Sequence, residues 1–335
     1  MPTWSEIARE VANLQANHDP HPFDTVRRKY LLQLSNYTKR DTILYATRWI
    51  QPGFRAGDVE SIIDEDLEGI MEVTHGLNSK KLDIILHSPG GSAEATEAIV
   101  SYLRKKFEHI RVIVPHAAMS AATMWACSAN EVLMGKHSFL GPIDPQIILT
   151  SDGGQSLTPA QAILDQFELA KQQCADLSLL NAWIPMLKLY GPALLVQCQN
   201  AIDLSQELVK QWLKTYMLAG SKYASRDALR IARALADHRS FKSHARHLDR
   251  NKVRNLSGSV GLVVSDLETD QTLQDMVLSV YHSSMLVFGS TLTAKIIENQ
   301  MGKAFIKTMQ LPVTPVPPAS GPPPRPPGST PPSAP

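Results

Sequence analysis

Cysteine is scarce in this chain, and the patterns that would give it a role are missing. Cys127, Cys174 and Cys198 are the three cysteines in 335 residues. They are far apart and odd in number. No CxxC pair or Cys/His cluster with metal-ligand spacing accompanies them, so neither a disulfide framework nor a metal site is expected, only packed, reduced thiols. Long apolar runs are absent too: no window approaches 18 uninterrupted apolar residues, so there is no transmembrane-helix candidate. The polar segment Met1 to Arg28 lacks the basic and apolar regions of a signal peptide. A cytoplasmic location is the expectation. Charge bias is missing, with 33 Lys and Arg against 32 Asp and Glu. Global charge therefore argues for neither nucleic acid nor a membrane surface. The Walker spacing and GxGxxG are also absent, and no cofactor is expected.

What is present is an ordinary apolar content of 43% and a length suited to one large α/β domain with additions. Apolar spacing predicts helices over 4–17 and 25–36, a first strand at 42–47 and a helix over 59–78. Short apolar strands at 83–86, 111–115 and 131–134 alternate with helices at 93–107 and 120–129. This rhythm argues for parallel strands, right-handed crossovers and layered packing. From 158 to 236 the pattern is mostly helical: 160–180, 192–217 and 225–236. A strand at 261–264 and helices at 272–287 and 291–302 follow. The expected domains are N-terminal helices over 1–40, a main α/β domain over 41–310 with a helical insert at about 158–236, and a tail over 311–335. About half of all prolines lie in that tail. Such a segment buries no core and is expected to be extended and disordered, as a spacer or an SH3-type ligand.

Two stretches carry chemistry together. Leu86-His87-Ser88-Pro89-Gly90-Gly91-Ser92 runs from a strand into a Gly-Gly turn, and Ala117-Ala118-Met119-Ser120-Ala121-Ala122 runs from a strand end into a helix. Taken singly, the first is a tight turn and the second a serine N-cap. In a parallel sheet, however, neighbouring strands end on one edge, where ligands bind. That edge would bring together the Ser120 hydroxyl and the N–H groups of Gly91 and Ala121. A nucleophile and an oxyanion hole are the minimum for attack on a carbonyl.

These residues resemble the ClpP/crotonase superfamily and, within it, the serine dehydrogenase proteinases. The resemblance runs through 84–91, 114–124, Met134-Gly135-Lys136-His137-Ser138-Phe139-Leu140-Gly141-Pro142-Ile143-Asp144-Pro145-Gln146 and His244-Ala245-Arg246-His247. It implies a ClpP/crotonase-like α/β fold, a β-β-α superhelix with a helical C-terminal region. It also implies peptide hydrolysis by Ser120, oxyanion donors Gly91 and Ala121, a peptide or protein substrate, and a homo-oligomer. Relatives commonly read Ser-Ala-Gly or Ser-Gly-Gly where this chain has Ser120-Ala121-Ala122; alanine keeps its N–H.

The base is less defined. Asp144 sits near the slot where Clp-type proteases carry a histidine. By the spacing of Ser-Lys relatives the matching lysine is Lys171, and burial would make it a base. His137, His244 and His247 are alternatives. The run Lys222 to Arg254 holds ten Lys and Arg against three Asp. Its expected role is pairing with the acidic stretch Asp58–Glu72, and a nucleic-acid partner is not expected. Nothing in the chain supports dehydrogenase chemistry. Two rival readings remain: a crotonase-like acyl-CoA enzyme using the same amides, and a scaffold that recruits partners through its basic run and Pro-rich tail.

Overall fold

A computed structural model describes residues 3–51, 57–151, 154–258 and 260–309; the proline-rich tail lies outside them. The helices are α1 (Trp4–Ala16), α2 (Pro22–Thr38), α3 (Asp66–Thr74), α4 (Ala93–Lys106), α5 (Ala121–Cys127), α6 (Ala160–Gln173), α7 (Leu177–Leu187), α8 (Leu194–Trp212), α9 (Ala224–Ala236), α10 (His238–Phe241), α11 (Arg250–Arg254) and α12 (Gln271–Ser290). The strands are β1 (Asp41–Thr47), β2 (Lys81–His87), β3 (His109–Val114), β4 (Ala117–Ala118), β5 (Glu131–Met134), β6 (Phe139–Leu140), β7 (Gln146–Ser151), β8 (Gly154–Pro159), β9 (Leu248–Asp249), β10 (Val264–Asp266), β11 (Thr293–Asn299) and β12 (Ala304–Thr308).

The fold is mixed α/β. Seven strands form the central sheet in the order β10-β5-β3-β2-β1-β11-β12. The five from β10 to β1 are parallel, and β11 and β12 are antiparallel additions. Alternation along β2 shows why the strands read as continuous apolar runs. Ile84 and Leu86 join a core layer with Ile99 and Leu103 of α4 and Trp125 of α5. Ile85, on the opposite face, joins Leu31 and Leu34 of α2 and Val277 and Phe288 of α12. Both faces of the sheet are covered, so both parities of side chain must be apolar.

The helix expected over 59–78 is confined to Asp66–Thr74, because Ile62 bridges to Gly91 instead, and the strand expected over 261–264 is Val264–Asp266. Three further expectations change. The stretch 291–302 is a strand rather than a helix. All seven residues of β11 are buried, including Lys295, Glu298 and Asn299. These polar residues break the period-2 signal, yet each is satisfied. Lys295 pairs with Asp66, Glu298 takes Arg27 and Arg28, and Asn299 donates to the Val73 carbonyl. Second, 158–159 belong not to the helical stretch but to β8, which pairs antiparallel with β7, and Asp176 caps α7 and divides the expected helix 160–180.

Third, the ion pairs of the basic run 222–254 found among the described residues lead elsewhere than to the acidic stretch Asp58–Glu72. Among the described residues its Lys and Arg pairs include Arg226–Asp227, Arg239–Asp165, Arg250 with both Asp266 and Glu268, Lys252–Asp249 and Arg254–Asp266. In the acidic stretch, Asp66 takes Lys295 and Glu65 takes Lys307. Charge balance was readable from composition, whereas partner choice depended on which elements the fold brought together. All three cysteines are free, and burial pushes the Cys127 thiol up to about 12. Among the described residues no helix is long and apolar enough to cross a membrane, and no His/Cys/Asp/Glu group is arranged to hold a metal ion.

Candidate active site

Parallel strands β2 and β3 deliver Ser88–Gly91 and Ala117–Ser120 to the same edge of the sheet. The two turns are stitched together: the Ser88 N–H donates to the Ala117 carbonyl at 3.2 Å, and the Met119 N–H donates to the Ser88 carbonyl at 2.9 Å. The Gly90 N–H donates to the Ser88 hydroxyl at 3.1 Å. That bond occupies the Gly90 amide.

Both glycines are required by geometry. Gly90 has φ +104°, and a Cβ there would lie 2.6 Å from the Met119 carbonyl oxygen, 2.7 Å from Ser120 Cβ and 2.8 Å from the Ala121 nitrogen. The glycine turn thus lies directly against the start of α5. Gly91 has φ +149°, and its Cβ would meet the Ile62 backbone at 2.3 Å.

Ser120 occupies an unusual conformation, φ 51° and ψ −121°. A serine there is strained by about 1–3 kcal/mol. The surroundings enforce it. The Ala122 N–H donates to the Met119 carbonyl, and the Met124 N–H donates to the Ser120 carbonyl. Thr123 Oγ1 donates to the Ala118 carbonyl and accepts from the Gly141 N–H. All seven residues of α5 are buried, which fixes the helix that follows. This strand-to-helix corner presents the hydroxyl while α5 begins beneath it. Among the described residues, the Ser120 hydroxyl has no hydrogen-bond partner. The Ala121 N–H, first in α5, has no intrahelical acceptor.

Asp144 is 2% exposed and accepts from two imidazoles. His244 Nδ1 lies 2.8 Å from Oδ1, and His238 Nδ1 lies 2.8 Å from Oδ2. A carboxylate accepting at Nδ1 fixes the tautomer and leaves Nε2 as the basic nitrogen. His238 is the residue sequence reasoning missed. It lies 94 positions from Asp144, in the four-residue helix α10, with no local motif around it.

Lys171 is not where a buried base would be. It is exposed on α6 and ion-paired with Glu168 at 3.0 Å. His137 packs against Gly135, and His247 meets the edge of Phe139 at 5.1 Å. Neither hydrogen-bonds to Asp144. Of the four alternatives for the base, the fold brings only His244 to the carboxylate.

A second histidine group lies on the α12 side of the sheet. His87 is enclosed, with Nδ1 3.1 Å from the Ala117 carbonyl, and its ring sits 5.6 Å from His116 and 5.2 Å from Tyr281. Burial, reinforced by His116, pushes His87 down to about 3. His87 is therefore a neutral Nδ1–H donor that pins the Ala117 end of the serine turn.

Residues 24–185 match the family described as ClpP-like SDH-type serine proteinase. The matched segment contains Gly91, Ser120, Asp144 and Lys171, and it ends before His238 and His244. Two uncharacterised proteins of Methanocaldococcus jannaschii are similar to the chain. One is 32% identical over 155 residues, 46% of this chain and 44% of the relative. The other is 36% identical over 123 residues, 36% of this chain and 43% of the relative. The chain thus spans less than half the length of these curated relatives. Among solved structures, a membrane-bound stomatin-specific protease, 1510-N, in complex with a substrate peptide has a TM-score of 0.37 and 16% identity, covering 61% of this chain and 71% of that one. A second structure of that protease has a TM-score of 0.36 and 14% identity, covering 70% and 82%.

Proposed function

We propose that the chain is a serine peptidase in which Ser120, His244 and Asp144 act as nucleophile, base and orienting carboxylate. The observation that carries this reading is the buried Asp144 carboxylate holding imidazole Nδ1 groups, on the same chain as a strained, unpartnered serine. In this mechanism His244 Nε2 takes the proton as Ser120 Oγ attacks the peptide carbonyl. The Gly91 and Ala121 amides stabilise the oxyanion. The imidazolium, steadied by Asp144, then protonates the leaving amine, and water releases the acyl group by the same path. His244 is assigned as base over His238 because it is the more exposed of the two, 26% against 15%. A base must share space with substrate.

The Ser-Lys dyad through Lys171 is the less favoured form of the reading, since that ammonium faces solvent and Glu168. We also read the short outer strands as part of the architecture. After β3 and β5 the chain passes into β4 and β6 of a second, three-stranded sheet, which fits a β-β-α superhelix. The catalytic domain is then 41–310, with the helices of 158–236 inserted. Self-association belongs to this reading too, since Leu157, Leu177 and Leu189 are 68%, 77% and 66% exposed.

A fluorophosphonate probe tests the nucleophile. It should label Ser120 in the parent chain and not in Ser120→Ala. His244→Ala should slow labelling by about 100-fold or more, whereas Lys171→Ala leaves it within about twofold. Equal loss in Lys171→Ala and none in His244→Ala would restore the dyad. A folded parent that never labels would remove the peptidase reading altogether.

A further inference from the structure

Lys295 and Asp66 form an ion pair at 2.7 Å, with both side chains 0% exposed. Lys295 is on β11, Asp66 opens α3, and neither has a part in the reaction above. Tyr45 donates its hydroxyl to Asp66 Oδ2 at 2.7 Å. The pair reaches further than itself. Lys295 Nζ donates to the Ser61 carbonyl at 2.7 Å, and Asp66 Oδ2 accepts from the Ile63 N–H at 3.0 Å. The backbone on both sides of Ile62 is therefore tied to one buried charge pair.

Ile62 is the residue that holds the glycine turn. Its N–H donates to the Gly90 carbonyl at 2.7 Å, and its carbonyl accepts from the Ser92 N–H at 2.9 Å. Together these make an isolated parallel bridge between Ile62 and Gly91. The contact is close enough that a Cβ at Gly91 would fall 2.3 Å from the Ile62 carbonyl oxygen. The direction of the Gly91 amide thus depends on where Ile62 lies.

We propose that the Lys295–Asp66 pair is a positioning device for the Gly90–Gly91 turn, acting through Ser61–Ile63 to aim the Gly91 N–H at the reacting carbonyl. The catalytic part of this inference rests on the oxyanion role given to Gly91 above. The physical case is a matter of satisfaction. Apolar side chains of similar volume could fill the same core. They would leave the Ser61 carbonyl and the Ile63 N–H without their partners. The charged pair instead spends its hydrogen bonds on backbone, in a segment that has no helix or sheet ladder of its own to fix it.

The test uses the full chain with Lys295→Met, Asp66→Asn and the double variant. The double variant removes both charges and so leaves no orphaned ion if a single variant fails to fold. Amide hydrogen exchange reads the anchor directly. Ile62 and Ser92 should exchange about tenfold faster or more, while Ile84 and Val112 in the central strands keep their protection. Fluorophosphonate labelling of Ser120 should slow by about tenfold or more. With a turnover peptide, kcat should fall while KM moves less than about threefold. Unchanged exchange at Ile62 and Ser92 overturns the proposal, as does lost protection with labelling at the parent rate. If the parent never labels yet exchange rises in the variants, the anchor stands and the serine-nucleophile reading falls.

Discussion

Ser120 carries strain that glycine would not. At φ 51° and ψ −121° the side chain sits in a region L residues avoid. Ser120→Gly should relieve about 1–3 kcal/mol and give back about 0.5–1 kcal/mol through the freer unfolded chain. A net gain of about 1 kcal/mol is the expectation, read as a raised midpoint in urea. Ser120→Ala should show no such gain, because alanine keeps the Cβ. His87 makes a pH prediction. Its folded value of about 3 lies below the ordinary imidazole value, so between about pH 6.5 and 3 the unfolded chain binds the proton and the folded chain does not. Stability should therefore fall on acidification through that window, by up to about 1.4 kcal/mol per pH unit from this residue. Denaturant melts of His87→Phe should show a flatter acid limb than the parent. The sequence placed His87 in the motif but could not assign this role, which comes from His116, Tyr281 and the Ala117 carbonyl closing around it.

At the level of elements, the turn between β2 and α4 is held from two sides, by Ser120 and by Ile62. Gly91→Ala should be severe for two reasons: its φ of +149° and the 2.3 Å approach of the Ile62 backbone. Destabilisation of about 2–4 kcal/mol is expected, with loss of Ser120 labelling even where the variant folds. Both the Gly-Gly turn and the serine corner were visible in the sequence, because glycine pairs and small-residue helix starts are local signals. The hairpin β7–β8 and the strand β11 were not. Buried Lys295, Glu298 and Asn299 look solvated to any local reading until Asp66, Arg27 and the Val73 carbonyl are known to face them.

Across the whole molecule, exposed apolar residues gather on the helical segment and its hairpin. Ile148 and Leu157 on β7 and β8, Leu177 at the start of α7, Leu189 just past its end, and Val196 on α8 are each at least 60% exposed. If these residues mediate self-association, Leu177→Glu with Leu189→Glu should lower the molar mass measured by light scattering. The circular dichroism spectrum should be unchanged, since neither residue belongs to the buried core. A parent that is monomeric at every concentration, with the substitutions without effect, would remove that expectation.

By itself the sequence determined the alternation of strands and helices, the sheet edge carrying Gly91 and Ser120, and the two residue types on which the proposed acyl transfer rests. These follow from apolar period and glycine placement, which act over a few residues. Only the tertiary structure decided what surrounds them. It put Lys171 in solvent, and it joined Asp144 to His244 and to His238 across about a hundred positions. It also tied the glycine turn to a buried ion pair on β11. Such long-range partnerships are set by which elements pack together, and a linear pattern holds no record of that choice.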